Sequence, residues 1–305
     1  MNLEPLQQIQ LFGHNKIFDE LKNYVDKDKL PTKILFNGKK GIGKFTLTNH
    51  LVNYVLSLNE DHKYNIEKLK INVNNKSYKL VINQSSPNYF LITIKDGKKN
   101  IEIDQIRELI NFCNKSSFND KPRFVIIDNV ERLNLNSSNA LLKILEEPNK
   151  GIHFILINNS TKILPTIKSR CISFNINLSF ENTKKIFLEL TNQDLDDLLS
   201  RDLICPYFSV GDYLAIYQFL KINDIDLSKI ELKNFLKMII EEKIYKKDNL
   251  LGKLIYDLIE LYYVRSNKLS YNFHKFELHI NSVNNMFKFN LDTETIFLKL
   301  HQQLN

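Results

Sequence analysis

The stretch GKKGIGKF, residues 38–45, decides how the first half of this chain is interpreted. An apolar run, TKILF (32–36), precedes it, and leucine and valine at helical spacing follow it. Its glycines allow a tight turn that directs amide hydrogens at phosphate oxygens, and its lysine adds a cation for the outer phosphates. The strand–loop–helix order therefore predicts a phosphate-binding loop (P-loop) built from Gly38, Gly41, Gly43 and Lys44.

The eighth position of the loop departs from the usual pattern, G-x-x-x-x-G-K-[ST], because Phe45 stands where a hydroxyl is expected. That hydroxyl binds the Mg²⁺ ion that bridges the outer phosphates, and a benzyl group has no atom that can do so. Thr46 does not replace it, since one residue along a helix rotates the side chain by about 100°. The loop has thus lost its metal ligand.

The acidic half of a nucleotide site is also incomplete. The strand FVIID (124–128) ends in Asp128, but Asn129 follows where a glutamate would polarise the attacking water. An amide neither carries the negative charge nor takes the proton. Asp128 is interpreted either as a weakened nucleotide ligand or, more simply, as a strand-end residue that caps the next turn. With two functions missing at two places, the sequence predicts no ATP hydrolysis.

Composition narrows the class of protein without identifying it. The 305 residues are 43% hydrophobic and 25% charged, which is typical of a globular chain of two or three domains. The net charge of +7 favours an anionic partner such as nucleic acid, although the lysines are scattered. Without an apolar run of about 18 residues or a signal-like N-terminus, we expect a cytoplasmic protein with no membrane contact. The cysteines Cys113, Cys171 and Cys205 lie far apart, which predicts buried thiols and no zinc site.

Five apolar runs of strand length alternate with helical patterns up to about residue 177. Runs that are apolar throughout are typical of strands buried on both faces, so the pattern predicts a parallel α/β sheet. The runs are TKILF (32–36), YFLITI (89–94), RFVIID (123–128), IHFILIN (152–158) and CISFNI (171–176). A helix over 139–147 is expected to have Ser137 or Ser138 as its N-cap and to stop at Pro148, and residues 59–88 are polar and resemble an insertion.

The second half is predicted to be mostly helical. Helix-periodic segments occur at 234–245, 251–264 and 292–304, the last with Asp292 as a plausible cap. A break at 223–230 divides this half. The predicted domains are therefore 1–177 (α/β), 178–225 (a small helical domain) and 226–305 (a C-terminal helical domain).

Six motifs occur in a fixed order over about the first 175 residues: LFGH (11–14), GKKGIGK (38–44), IDQIREL (103–109), VIIDNVERLN (125–134), NALLKILEEP (139–148) and LPTIKSRC (164–171). With them the chain resembles the AAA+ clamp-loader ATPases, and among these the delta-prime subunits of bacterial DNA polymerase III. The last two motifs are far more specific than the loop alone.

The resemblance implies a P-loop AAA+ domain, a helical lid and a C-terminal helical collar. In such loaders, related subunits, including gamma/tau and delta, form an open ring that opens a sliding clamp and places it on primed DNA. The delta-prime member belongs to the polymerase holoenzyme and does not hydrolyse ATP, in keeping with the degenerate Walker motifs here. Its Ser-Arg-Cys motif, matched by Arg170, supplies an arginine finger to the ATP of a neighbouring subunit.

Departures from the family and rival interpretations remain. Many relatives carry a four-cysteine zinc module where residues 59–88 lie, and the absence of cysteine there predicts no zinc. Ala215 stands near the place of a nucleotide-sensing arginine, and His14 could stack on an adenine or simply pack.

The alternatives are an ATP-hydrolysing gamma/tau-like subunit or other AAA+ DNA-dependent ATPase, a DNA-binding module acting alone, and a site that holds ATP or ADP without cleaving it. Arg170 could also be an ordinary ion-paired arginine.

Overall fold

The computed structural model describes residues 4–147, 150–160, 163–247 and 251–266, together with Glu277, Asn281, Glu294, Phe297, Leu298 and His301. The chain divides into two compact units, Met1–Ser179 and Phe180–Asn305. A further division of the second unit at residue 225 stays a prediction.

The first unit contains a five-stranded, fully parallel sheet in the order β2-β3-β4-β1-β5. This confirms the predicted α/β fold, and each strand lies within two residues of its predicted position. The strands are β1 Lys33–Asn37, β2 Tyr89–Ile92, β3 Arg123–Asp128, β4 Ile152–Asn158 and β5 Ile172–Asn175.

Both faces of the sheet are buried, which explains why its strands are apolar throughout. Ile34 and Phe36 of β1 belong to one buried cluster, and Leu35 between them belongs to the other. Successive side chains of a strand point to opposite faces, so each face needs its own helical cover. Helices α1 Asn15–Asp26 and α2 Lys44–Ser57 contribute to the first cluster, and α4 Ile103–Asn114 and α5 Leu135–Glu146 contribute to the second.

Helix α5 begins earlier than the sequence predicted. Its N-cap is Asn134, whose side chain accepts a hydrogen bond from the Ser137 amide at 2.8 Å, so the prediction of Ser137 or Ser138 was wrong. Both serines are buried inside the helix, and the Ser137 hydroxyl donates to the Ile101 carbonyl at 3.0 Å. The predicted stop at Pro148 lies outside the described residues.

Residues 59–88 pack closely onto the first unit. They contain helix α3 Lys76–Ile82, and Tyr64 stacks on Phe18 of α1 with ring centroids 5.3 Å apart. Polar contacts add to this packing, since Glu60 accepts hydrogen bonds from Ser77 and from the Lys121 ammonium, each at 2.5 Å. Residues 59–88, the predicted insertion, are therefore held to the rest of the first unit by both aromatic packing and charged hydrogen bonds.

The described part of the second unit is helical, as expected. A short helix, α6 Pro165–Lys168, lies between β4 and β5 of the first unit, and α7 to α12 form the second. Their bounds are α7 Phe180–Thr191, α8 Leu195–Leu198, α9 Val210–Asn223, α10 Leu232–Glu241, α11 Ile244–Lys247 and α12 Leu251–Ser266. One buried cluster joins helices on both sides of residue 225.

The predicted cap Asp292 and most of the 292–304 segment lie outside the described residues. Within the described ranges, none of the helices combines the length and hydrophobicity that crossing a bilayer requires.

Replacing Gly38 with alanine should destabilise the protein strongly. A Cβ at position 38 would lie 2.3 Å from the Ile176 carbonyl oxygen, so the backbone after β1 or β5 would have to move. We expect a loss of about 3 kcal/mol in the free energy of unfolding, as for overpacked cores. The control is Gly97→Ala, where a Cβ meets nothing within 4 Å and the cost is only the ~1 kcal/mol of its left-handed backbone. Equal losses in urea unfolding would contradict the role of this close approach.

Candidate functional site

The loop between β1 and α2 adopts the conformation that the glycines were expected to provide. Gly41 and Gly43 have left-handed φ angles of 80° and 90°, which residues with a Cβ rarely adopt. Helix α2 begins at Lys44, directly after the loop, and no side chain caps its N-terminus. The amides of its first turn and the positive end of its dipole are therefore available to an anion.

Lys44 is turned back into the loop. Its ammonium donates hydrogen bonds to the carbonyl oxygens of Gly38 at 2.7 Å and Lys39 at 2.5 Å, and the residue is only 3% exposed. Burial lowers the pKa of Lys44 to about 8, although the carboxylates of Asp128 and Glu131 act in the opposite direction. The loop thus supplies part of the solvation that its own lysine loses on burial.

Phe45 packs against the buried cluster beneath α1 and α2 instead of presenting a ligand. Its half-buried ring carries no oxygen at the position where a P-loop holds Mg²⁺. The residues present do not fit a magnesium ion at this position. This side chain stabilises the fold.

The ends of β3 and β4 form a compact hydrogen-bonded group beside the loop. Asp128 accepts bonds from the Asn129 backbone amide at 3.0 Å, the Asn129 side-chain amide at 2.8 Å and the Asn159 side-chain amide at 3.2 Å. Burial raises the pKa of Asp128, and the bonds from Asn159 and Asn129 oppose that shift. Asn129 has a left-handed φ of 61°, a conformation that asparagine tolerates better than most residues.

Glu131 is a residue of this site that was not predicted from the sequence. Its carboxylate accepts a hydrogen bond from the Asn159 backbone amide at 3.1 Å, and its charge raises the pKa of Lys44. A short 3₁₀ turn, Val130–Arg132, carries Glu131 back toward the end of β3. The three-residue spacing from Asp128 was the signal that could have revealed it.

The imidazole ring of His14 contacts the loop between β1 and α2. Its Nε2 lies 2.6 Å from the Ile42 carbonyl oxygen and therefore donates the hydrogen of that bond. The ring also lies against Gly43, where a Cβ would come within 3.3 Å of Nε2. Burial lowers the pKa of His14, so the ring is neutral near pH 7. These contacts hold the loop in place.

Arg170 follows helix α6 and precedes β5, as expected. Its guanidinium donates to the Thr166 carbonyl at 3.0 Å and to the Glu146 carboxylate at 2.5 Å, and one third of the side chain is exposed. Because β1 and β5 run parallel, Arg170 lies at the edge where these strands begin, and the loop lies at the edge where they end. The sheet thus brings Lys44 and Asp128 together and keeps Arg170 apart from them.

The cysteines and the possible metal ligands do not cluster in the described ranges. Among these residues, no three His, Cys, Asp or Glu side chains are grouped as metal ligands. Cys113 and Cys205 are buried, whereas Cys171 is only half-buried, so the prediction of three buried thiols was wrong for Cys171. Burial raises the pKa of Cys113 and of Cys171 to about 11, so both are protonated near neutral pH.

Comparison with known proteins gives consistent matches. A family model described as "DNA polymerase III, delta subunit" matches residues 13–179. DNA polymerase III subunit delta' of Pseudomonas aeruginosa is 36% identical over 98 residues, which cover 32% of this chain and 30% of that protein. Subunit delta' of Bacillus subtilis is 31% identical over 157 residues, covering 51% and 45%, and subunit gamma/tau of Mycoplasma genitalium is 29% identical over 201 residues, covering 66% and 31%.

Each of these alignments spans less than half the length of the curated relative. Among solved structures, a DNA polymerase III gamma subunit-related protein of Thermotoga maritima aligns with a TM-score of 0.49 and 19% identity. That alignment covers 94% of this chain and 99% of the other.

The buried lysine predicts a rise in stability at alkaline pH. The pKa of Lys44 is about 8 in the folded chain and 10.5 when unperturbed, so between these values the unfolded chain binds more protons and the free energy of unfolding increases with pH. The increase attributable to Lys44 should approach about 3 kcal/mol between pH 8 and pH 10.5. Lys44→Met provides the reference, because other titrating groups are common to both proteins. A stability difference between the two that is flat across this window would contradict the burial cost.

Proposed function

Because the chain belongs to the DNA polymerase III delta-subunit family, we propose that it is a non-hydrolysing, delta-prime-like subunit of a clamp loader. It assembles with gamma/tau and delta subunits in the cytoplasm and helps them to load a sliding clamp on primed DNA during replication. Its α/β domain, a lid over residues 178–225 and a collar over 226–305 give it a mechanical role in the ring.

The observation that carries this proposal is the position of Phe45. A subunit that does not hydrolyse ATP still needs the fold of the loop. Here the Phe45 benzyl group stabilises that fold by packing into the core. Hydrolysis would require a ligand for Mg²⁺ at this point, because the metal neutralises charge that develops on the phosphates. Position 45 therefore provides apolar contact in place of an oxygen that would bind Mg²⁺.

The second support comes from the end of β3. Asn129 donates to Asp128 and accepts from Asn159, so both ends of its amide are used in holding the turn. A general base must be free to take a proton from water, and an amide cannot. Gly38, Gly41, Gly43, Lys44 and Asp128 therefore form a degenerate nucleotide site, which retains ATP or ADP without cleaving it.

Arg170 acts in trans in this proposal. It lies at the opposite edge of the sheet from its own loop, a separation of several residues along β1 and β5, so it is suited to meet a nucleotide on another subunit. Two of its five N–H donors bond to Thr166 and Glu146, and these bonds orient the guanidinium. The donors that remain can bind phosphate oxygens of the neighbour.

An ATP-hydrolysing, gamma/tau-like subunit is the second candidate. The longest of the three curated alignments, over 201 residues, is with a gamma/tau subunit, which favours it. The site opposes it, because position 45 offers no metal ligand and position 129 no base. Direct assay of the isolated protein separates the two candidates.

The purified chain should not turn over ATP, and Mg²⁺ should change its ATP affinity little. In Phe45→Thr, which restores the hydroxyl, ATP binding should become stronger by about tenfold when Mg²⁺ is present, equivalent to ~1.4 kcal/mol. Calorimetry with and without Mg²⁺ measures both, with circular dichroism to check folding. Lys44→Ala is the control that should weaken ATP binding. Hydrolysis by the wild type that disappears in Lys44→Ala would overturn the non-hydrolysing assignment.

In a ring reconstituted with gamma/tau and delta subunits, Arg170→Ala should slow hydrolysis at the neighbouring site by about 10³-fold or more, the usual value of an arginine finger. Arg170→Lys should recover little, since lysine cannot form the planar two-point contact. Glu146→Gln should cause a smaller loss by loosening the guanidinium. Glu147→Gln, on the adjacent residue, is the matched control and should behave as wild type. Normal DNA-stimulated hydrolysis by Arg170→Ala would refute the finger.

A further inference from the structure

A small cavity with a largely apolar lining and a few polar side chains lies between helix α2, the start of β2 and the 59–88 insertion. Asn49 and Asn53 of α2 line it, together with Ser77 of the insertion and Tyr89 of β2. The cavity offers ≈ 10 Å³ to the centre of a water molecule. A cavity of this size admits only a very small molecule. It is distinct from the candidate nucleotide site, which lies at the beginning of the same helix.

Two of the residues that line this cavity each carry a buried atom with no hydrogen-bond partner among the described residues: the Asn49 side-chain nitrogen (Nδ2) and the Asn53 side-chain oxygen (Oδ1). The two residues are 6% and 5% exposed, so bulk water does not reach them freely. Their other amide atoms are bonded, since Asn49 Oδ1 accepts from the Tyr89 hydroxyl at 2.8 Å and Asn53 Nδ2 donates to Asn75 Oδ1 at 3.2 Å. Each buried polar atom left unpaired costs about 1–3 kcal/mol.

We propose that this cavity binds one ordered water molecule, which accepts a hydrogen bond from Asn49 Nδ2 and donates one to Asn53 Oδ1. The asparagines are four residues apart on α2, so their side chains lie on the same face of the helix. A cavity of about this size holds one water when two to four polar groups surround it. Tyr89 also lines the cavity, and its hydroxyl oxygen, whose hydrogen goes to Asn49, can accept a second hydrogen bond from the water.

The chemistry of the cavity favours water over other small ligands. None of the residues that line it is acidic, so a metal cation would find no charged ligand. Rotating the Asn49 amide by 180° would place an oxygen where the nitrogen is, but water donates as well as accepts and satisfies either orientation. An apolar occupant would leave both amides unpaired.

The bound water joins three parts of the first unit. Tyr89 of the sheet bonds to Asn49, the water bridges Asn49 to Asn53, and Asn53 bonds to Asn75, which caps helix α3 by accepting from the Tyr78 amide at 2.7 Å. Asn75 also donates to the His62 carbonyl at 2.8 Å. The insertion is thereby tied to α2 through a continuous hydrogen-bonded chain with one water in it.

A crystal structure of the full chain at about 1.8 Å or better tests the proposal. We expect a density peak within about 2.7–3.2 Å of Asn49 Nδ2 and of Asn53 Oδ1. In solution, the Asn49 side-chain amide should show cross-relaxation with a long-lived water, so the test does not depend on crystals. A cavity without density and without this cross-relaxation, or a direct bond between the two asparagines, would overturn the assignment.

A cavity-filling pair of variants gives the matched control. Val52→Ile adds a methyl group to a residue that lines the cavity, and Val55→Ile adds the same group to α2 away from it. Val52→Ile should lose the water and melt about 4 °C or more below Val55→Ile, because two buried amides lose their partner. If Val52→Ile and Val55→Ile melt at the same temperature, and neither crystal structure shows the density peak for the water, the cavity binds no water.

Discussion

Strand β1 is hydrogen-bonded on both sides, to β4 and to β5, and all three strands run in the same direction. This pairing fixes which side chains of the first unit can meet. The ends of β1, β3 and β4 share one edge of the sheet, so the loop, Asp128 and Asn158 are neighbours regardless of their separation in sequence. What lies before a strand belongs to the other edge, and Arg170 is such a residue. The loop and Arg170 therefore lie at opposite edges of the same sheet.

At the loop edge, the side chains of Lys44, His14 and Asp128 bond to other groups of the same chain. Lys44 bonds to carbonyl oxygens of its own loop, His14 bonds to the Ile42 carbonyl, and the Asp128 carboxylate is occupied by Asn129 and Asn159. In an active nucleotide site, some of these groups would be engaged by phosphate, metal and water. In this structure each of them is bonded to another group of the same chain.

The sequence was most informative where burial alone decides structure. The strands could be located because a strand covered on both faces must be apolar at every position. The loop could be located because its spacing of glycines and lysine is typical of phosphate-binding loops. Features that depend on tertiary contacts were less accessible. The cap of α5 was assigned to Ser137 or Ser138 because both precede an apolar run, whereas the helix begins one turn earlier at Asn134 and the Ser137 hydroxyl bonds to the distant Ile101 carbonyl. The bonds of His14 to Ile42 and of Arg170 to Glu146 join residues that no local pattern connects.

Phe45 carries a consequence for how the loop can change. Its ring contributes to the core, so replacing it with the small hydroxyl residue of an active P-loop removes apolar contact worth about 1–3 kcal/mol. A single substitution toward an active site would therefore lower stability before it restored any chemistry, since Asn129 would still offer no base. Restoring a hydroxyl at position 45 would therefore cost stability in the same step that adds a metal ligand.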